Sequence, residues 1–359
     1  MARKKHFILS IDGGGIRGLI PLRILESIES RMAHRGVILP MHACFDLMCG
    51  TSTGGLIAAG LSAPKSGGRK GEAVATIADL RTLFETEARD IFTPSMRYRL
   101  ARFIANPFTF YDEKLDARPL ERLLKERFGW TSIASAMTHL VLTAYDIENR
   151  KPVFMSNTPQ HNGAAPDDYY IWQAVRAATA VPCFFEPARV ENLTSKREEA
   201  LIDGGVFLND PSIAAYIEAR KLGWDAEDIV ILSLGTGHAP EHAFPYAEAS
   251  AWGAPGWFSA AKGAPLQAIA THGQSATTSY QAEWLFGEMG KTRFIRLDGV
   301  LPADAEDMGN ARPGNMITLN GTADRIIRDR TILLDELAEM LIDAKAPPVA
   351  DDKEIVNAA

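Results

Sequence analysis

The sequence is poor in cysteine, has no long apolar run and carries no excess of basic charge, and each shortage excludes something. Cys44, Cys49 and Cys183 are its three cysteines, too few and too scattered for a disulfide scaffold or a four-ligand zinc site. A reducing compartment is the expectation that follows. No segment reaches the roughly 18 consecutive apolar residues of a membrane span. The apolar stretch Phe7–Ile11 is cut by Asp12 and a glycine run before it becomes a signal-peptide core. The chain is therefore expected to be soluble and cytoplasmic, with no encoded export signal. Acidic side chains number 45 against 38 basic ones, for a net charge of −7. That balance argues against a nucleic-acid polymer as partner, since phosphate contacts need a basic surface. No His/Cys set and no EF-hand-like carboxylate run points to a metal, and no cofactor is expected.

What is present is an ordinary globular balance, 46% hydrophobic and 23% charged over 359 residues. Apolar runs predict strands at His6–Ile11, Phe45–Cys49, Thr138–Tyr145, Pro152–Ser156 and Asp228–Leu234. Helical spacing predicts helices over Pro21–Met32, Gly54–Leu61, Leu115–Phe128 and Ser212–Leu222, and one long helix over Thr322–Ala344. Asp210-Pro211 suits the start of the Ser212–Leu222 helix and Gly223 its end. Alternating strands and helices imply an α/β architecture, a mainly parallel sheet with both faces covered. With no repeat and no low-complexity linker, one domain is expected: a core over 6–240, a C-terminal part over 241–345, and a disordered tail over 346–359.

Three short motifs carry chemistry. Gly50-Thr51-Ser52-Thr53-Gly54 is a G-x-S-x-G between a predicted strand and a predicted helix. A nucleophilic serine projects from such a turn, and the flanking Gly50 and Gly54 permit a strained backbone and close helix–strand approach. The plain alternative is a turn whose serine only caps the helix. Asp12-Gly13-Gly14-Gly15-Ile16-Arg17-Gly18 also follows a strand and opens a helix. Its spacing fits a dinucleotide fingerprint, which would make the chain a nucleotide-binding oxidoreductase. Asp12 beside a pyrophosphate and the lack of an acidic residue closing the second strand count against that. The preferred use is an oxyanion hole formed by Gly13, Gly14 and Gly15 amides, with Arg17 anchoring the loop or meeting a phosphate. The third motif, Asp203-Gly204-Gly205, can present a carboxylate at a strand end or simply turn the chain.

The ordered set DGGGIRG, GTSTG and DGG closely resembles the patatin-like phospholipase family, which includes the calcium-independent phospholipases A2. Ala178–Pro182, Asn209 with Pro211, and Ser233–Gly237 extend the match over roughly 6–240. The resemblance implies a patatin-like three-layer fold and a serine acyl-ester hydrolase with Ser52 as nucleophile and Asp203 as base. Gly13, Gly14 and Gly15 would form the oxyanion hole, supported by Arg17, Gly18, Gly50, Gly54, Gly204 and Gly205. The implied substrate is a membrane phospholipid or lysophospholipid. A neutral-lipid esterase or acyltransferase with the same dyad stays open, as does a phospholipase effector switched on by a cyclic nucleotide.

Two further features bear on mechanism and location. His238 follows the last predicted strand, so the order Ser52, Asp203, His238 is also that of an α/β-hydrolase triad; the resemblance favours the dyad. His272 is a weaker candidate. Trp252, Trp257 and Phe258 in 251–261 read either as a lid or docking loop giving peripheral contact with the inner membrane face, or as aromatics capping the core. The basic and aromatic stretch 91–111 could meet anionic head groups or a small nucleotide activator, or form a solvated helix.

Overall fold

The computed structural model describes residues 5–87, 115–160, 164–182, 184–238, 244–259, 265–288, 291–302 and 305–346. The stretch 91–111, Cys183 and the tail 347–359 lie outside the described residues. The five runs expected as strands form β1 (His6–Ile11), β2 (Leu47–Gly50), β3 (His139–Asp146), β4 (Lys151–Ser156) and β7 (Ile229–Leu234). β5 (Ala188–Glu191), β6 (Glu198–Asp203) and β8 (Arg293–Leu297) join them in one eight-stranded sheet. Its order is β5-β6-β3-β2-β1-β7-β8, with β4 also on β3.

β3, β2, β1, β7 and β8 run parallel, and nearly continuous apolar sequences such as Ile229–Leu234 suit strands buried on both faces. β4, β5 and β6 pair antiparallel, so the sheet is mainly and not wholly parallel, as expected. Short connections decide this. β3 reaches β4 through residues 147–150, with Arg150 at φ 53°, and β5 reaches β6 through 192–197, with Lys196 at φ 58°. Both links are too short for the crossover that a parallel pair requires.

The helices described are α1 (Leu19–His34), α2 (Met41–Cys44), α3 (Thr53–Ser62), α4 (Ile77–Thr82), α5 (Ala117–Phe128), α6 (Ile171–Ala178), α7 (Ser212–Lys221), α8 (Tyr246–Ala249), α9 (Ala254–Trp257), α10 (Pro265–Ala282), α11 (Pro313–Asp329) and α12 (Thr331–Lys345). A large cluster built on α1, α3, α5, α6, α11 and α12 covers one sheet face. A smaller one covers the other, where Ala215 and Ala219 of α7 meet Ile8, Leu47 and Ile231. The result is a helix–sheet–helix sandwich.

The single helix expected over Thr322–Ala344 is corrected to two, α11 and α12, broken at Arg330 (φ −114°, ψ 21°). The apolar positions Leu319, Ala323, Ile326, Leu334, Leu337 and Leu341 run on in helical spacing across the break, so periodicity hides it. The reason is tertiary. Both helices pack on the 16-residue α1, which is about 24 Å long. A straight helix over both segments would be roughly twice that and would carry half its apolar face into solvent.

The sheet register positions the site. Ile11, Gly50, Leu234 and Leu297 are paired in one row at the carboxyl ends of β1, β2, β7 and β8. The loops beginning at Asp12, Thr51, Gly235 and Asp298 therefore emerge side by side, at the sheet edge where open α/β sheets bind ligands. β2 leaves β3 at Gly50 opposite Leu142, and β6 takes the same β3 edge with Asp203 opposite Ala144. Two β3 residues span roughly 7 Å. β3 thus acts as a ruler that brings the ends of β2 and β6 together.

Candidate active site

β2 ends at Gly50 and α3 begins at Thr53, so Thr51 and Ser52 make the whole connection. Ser52 lies at φ 54°, ψ −124°, a position that a non-glycine residue holds at about 1–3 kcal/mol. The bend brings its flanks into contact. A Cβ on Gly50 would lie 2.2 Å from the Gly54 carbonyl carbon, and one on Gly54 would lie 2.2 Å from the Ile11 oxygen. The Ser52 side chain caps no helical N–H. The plain role of helix cap is thereby set aside. Thr51 ties the bend to both neighbours: its hydroxyl donates to the Leu208 carbonyl at 2.8 Å and accepts from Thr143 at 2.8 Å.

Asp203 closes β6 and caps the turn Gly204–Val206. Its Oδ1 accepts the Gly205 N–H at 2.7 Å, while Oδ2 is buried with no hydrogen-bond partner among the described residues. Gly204 packs against Thr143, where a Cβ would meet the hydroxyl at 2.2 Å. Burial raises the Asp203 pKa from 3.8 to about 7, against opposing pulls from the Ser52 hydroxyl and the Gly205 N–H. Ser52 thus stands beside this carboxyl, short of the alignment of a formed hydrogen bond.

The glycine loop lies against the other side of Ser52: a Cβ on Gly13 would be 3.1 Å from Ser52 Cβ. The Gly13 N–H donates to the Asn209 carbonyl at 3.2 Å. That narrows the three amides expected from sequence to those of Gly14 and Gly15, which donate to no acceptor among the described residues. The Gly13 carbonyl accepts from Thr236 Oγ1 at 2.7 Å and from Asn209 Nδ2 at 3.4 Å. In a trans peptide the next N–H points the opposite way, so Thr236 and Asn209 aim the Gly14 amide. Arg17, buried, donates from Nε to the Gly14 carbonyl at 3.3 Å, the anchoring role weighed for it. Gly18 packs against Thr53, its Cβ position 2.7 Å from the hydroxyl.

Below this loop lies a charge cluster that sequence reasoning missed. Arg296 on β8 holds Asp12 with both Nη atoms, at 2.8 and 2.7 Å. It also reaches Ser233 at 2.8 Å, Asp298 at 3.0 Å and Asp210 at 3.4 Å. Burial and the neighbouring Asp210 and Asp298 raise Asp12 to about 8, with Arg296 pulling it down. Asp298 is resisted by burial too, but His238 and Arg296 hold it at about 2. Asp210, read as a plain helix cap, accepts the Ser212 N–H at 2.9 Å and belongs to the same cluster. An arginine in a short edge strand gives no local sign of that role.

A polar cleft of about 300 Å³ opens beside the glycine loop, with Asp12, Arg17, Thr236, His238, Ser275 and Arg296 in its wall. His238 faces Asp298, Nδ1 to Oδ2 at 3.6 Å, and its ring lies 6.0 Å from that of His272. Pairing with Asp298 raises its pKa. Among the described residues it makes no hydrogen bond to Ser52 or Asp203, so the structure does not assemble the rival triad. In 251–261, Trp252 stacks edge-on with Phe244 and Trp257, Phe258 is exposed, and residues 260–261 lie outside the described residues. No described group of three or more His, Cys, Asp or Glu could hold a metal, and no described helix is long and apolar enough to cross a membrane.

The family model for patatin-like phospholipase matches residues 9–216. Patatin-like protein 2 of Arabidopsis thaliana is 30% identical over 343 residues, 89% of this chain and 82% of the relative. Patatin-17 of Solanum cardiophyllum is 28% identical over 347 residues, covering 89% and 83%. "Probable inactive patatin-3-Kuras 1" of Solanum tuberosum is 27% identical over 368 residues, covering 94% and 93%. Since one relative carries "inactive" in its name, residue geometry and not likeness alone must bear the chemistry.

Proposed function

This chain belongs to the patatin-like phospholipase family of lipid acyl hydrolases, and we propose that it releases fatty acids from glycerophospholipids or lysophospholipids through a Ser52–Asp203 dyad. Ser52 Oγ attacks the ester carbonyl as Asp203 Oδ2 takes its proton. The tetrahedral oxyanion is received by the Gly14 and Gly15 amides. As the carbon–oxygen bond to the glycerol breaks, Asp203 returns the proton to the leaving alkoxide. Water, deprotonated by the same carboxylate, then attacks the acyl-Ser52 ester, and collapse frees the fatty acid and restores the serine.

One observation carries the proposal: a serine on a strained bend, its side chain capping no helix, beside a buried carboxylate whose Oδ2 has no hydrogen-bond partner among the described residues. An ordinary carboxylate near pKa 3.9 is a weak base toward serine; one raised to about 7 is poised for the task. The dinucleotide alternative for Gly13–Gly18 is set aside by the family assignment and by Asp12, which is committed to Arg296. Mass spectrometry of the fluorophosphonate adduct, comparing the native chain with Ser52→Ala and Asp203→Asn, tests the dyad. Labelling is expected on Ser52 and to fall steeply in Asp203→Asn; a label on any other residue refutes it. A substrate panel in which triacylglycerol is cleaved and phospholipid is not would move the substrate class to neutral lipids.

A further inference from the structure

Helix α10, which walls the cleft, has its amphipathicity reversed. Its inward positions are Ala268, Thr271, Ser275, Thr278, Ser279 and Ala282, small and mostly polar. The outward positions at helical spacing are Leu266, Ile269, Gly273 and Tyr280, all exposed, and Trp284, just past the end of the helix, is exposed too. A surface helix ordinarily turns its apolar stripe inward. Of sixteen large exposed hydrophobics among the described residues, five lie between Leu266 and Leu285. Charge is also missing: across 265–287 Glu283 is the one Asp, Glu, Lys or Arg, against 23% for the chain.

We propose that this outer face of α10 docks the protein on an electrically neutral lipid surface, an inference that rests on the lipid hydrolase reading of the neighbouring Ser52 and Asp203. Three features fix the occupant. The face is apolar with tyrosine and tryptophan on it, side chains suited to a membrane–water boundary. Among the described residues of this face there is no Lys or Arg for anionic head groups, and the chain as a whole is acidic at −7. It is also continuous with the site: Ser275 accepts from Asn209 at 2.8 Å and donates to Asp12 at 3.4 Å, Ser279 donates to Asp210 at 3.1 Å, and Gln274 donates to the Val206 carbonyl at 2.9 Å. A bilayer covering the outer face would lie one helix diameter above the cleft. The far end is fastened by Phe286, packed on Tyr216 and Phe294 at 4.7 and 5.5 Å between ring centroids.

The test is flotation with phosphatidylcholine vesicles, using Ser52→Ala protein so that binding is read without turnover. The expected result is co-flotation that is insensitive to salt and a blue shift of tryptophan fluorescence absent from Trp284→Phe. Leu266→Gln with Ile269→Gln should weaken binding by about tenfold or more. The same pair of substitutions in the native background should leave hydrolysis of a soluble short-chain ester unchanged, which shows the fold intact. Unaltered flotation of that variant overturns the proposal. So does binding confined to anionic vesicles and lost in salt, or sedimentation showing that the face joins a second copy of the chain. Failure of ester hydrolysis with vesicle binding kept would refute the dyad and spare the docking surface.

Discussion

Replacing Asp203 by asparagine should cut activity steeply and, at alkaline pH, stabilise the protein, and the two effects have one cause. Burial holds the Asp203 pKa near 7 against 3.8 unperturbed. Between those values the folded chain keeps a proton that the unfolded chain releases, so stability falls as pH rises through the window. Roughly three pKa units at about 1.4 kcal/mol each give about 4 kcal/mol of penalty above pH 7. Asparagine keeps an Oδ1 to accept the Gly205 N–H but has a polar group of its own to desolvate, at about 1–2 kcal/mol. The net gain is then about 2–3 kcal/mol in mildly alkaline buffer, turning into a loss of about 1–2 kcal/mol near pH 4. Urea unfolding of both proteins across that range measures it. Ester hydrolysis should meanwhile fall by about a hundredfold or more, and in the native protein should rise with an apparent pKa close to 7. An Asp203→Asn protein no more stable than the native one at alkaline pH, or a gap that does not change with pH, would refute the desolvated-base account.

Other perturbations separate the remaining parts of the site. Thr236→Val removes the 2.7 Å bond that holds the Gly13 carbonyl; kcat for a soluble ester should fall about tenfold or more with KM little changed, part of the effect of losing a whole oxyanion donor. Arg296→Met leaves Asp12, Asp210 and Asp298 without their shared cation, and denaturant unfolding should show a loss of about 3–5 kcal/mol, partly recovered by adding Asp12→Asn. His238→Ala should keep kcat within about tenfold of native, whereas a general base would lose a hundredfold or more.

The sequence by itself determined the local chemistry, because each motif is its own geometric requirement. A bend as tight as the one at Ser52 needs glycine at 50 and 54, where any Cβ would strike backbone, and an aspartate followed by two glycines can end a strand with its carboxyl turned into a neighbouring loop. Strands such as Ile229–Leu234 were legible because burial on both faces leaves an almost wholly apolar run, with Ser233 its one polar position. Only the tertiary structure decided what those pieces meet. Ser52 and Asp203 converge because β2 and β6 share one edge of β3, a long-range register that no local pattern encodes. Arg296 belongs to the site because β8 is parallel to β7, which sets its guanidinium beside Asp12 and Asp210 from distant segments as well as the nearby Asp298. The break at Arg330 follows from the length of α1. Helix α10 conceals its orientation most fully: periodicity gives the two faces of a helix, but which one turns inward depends on what lies beneath, and here that is a polar cleft.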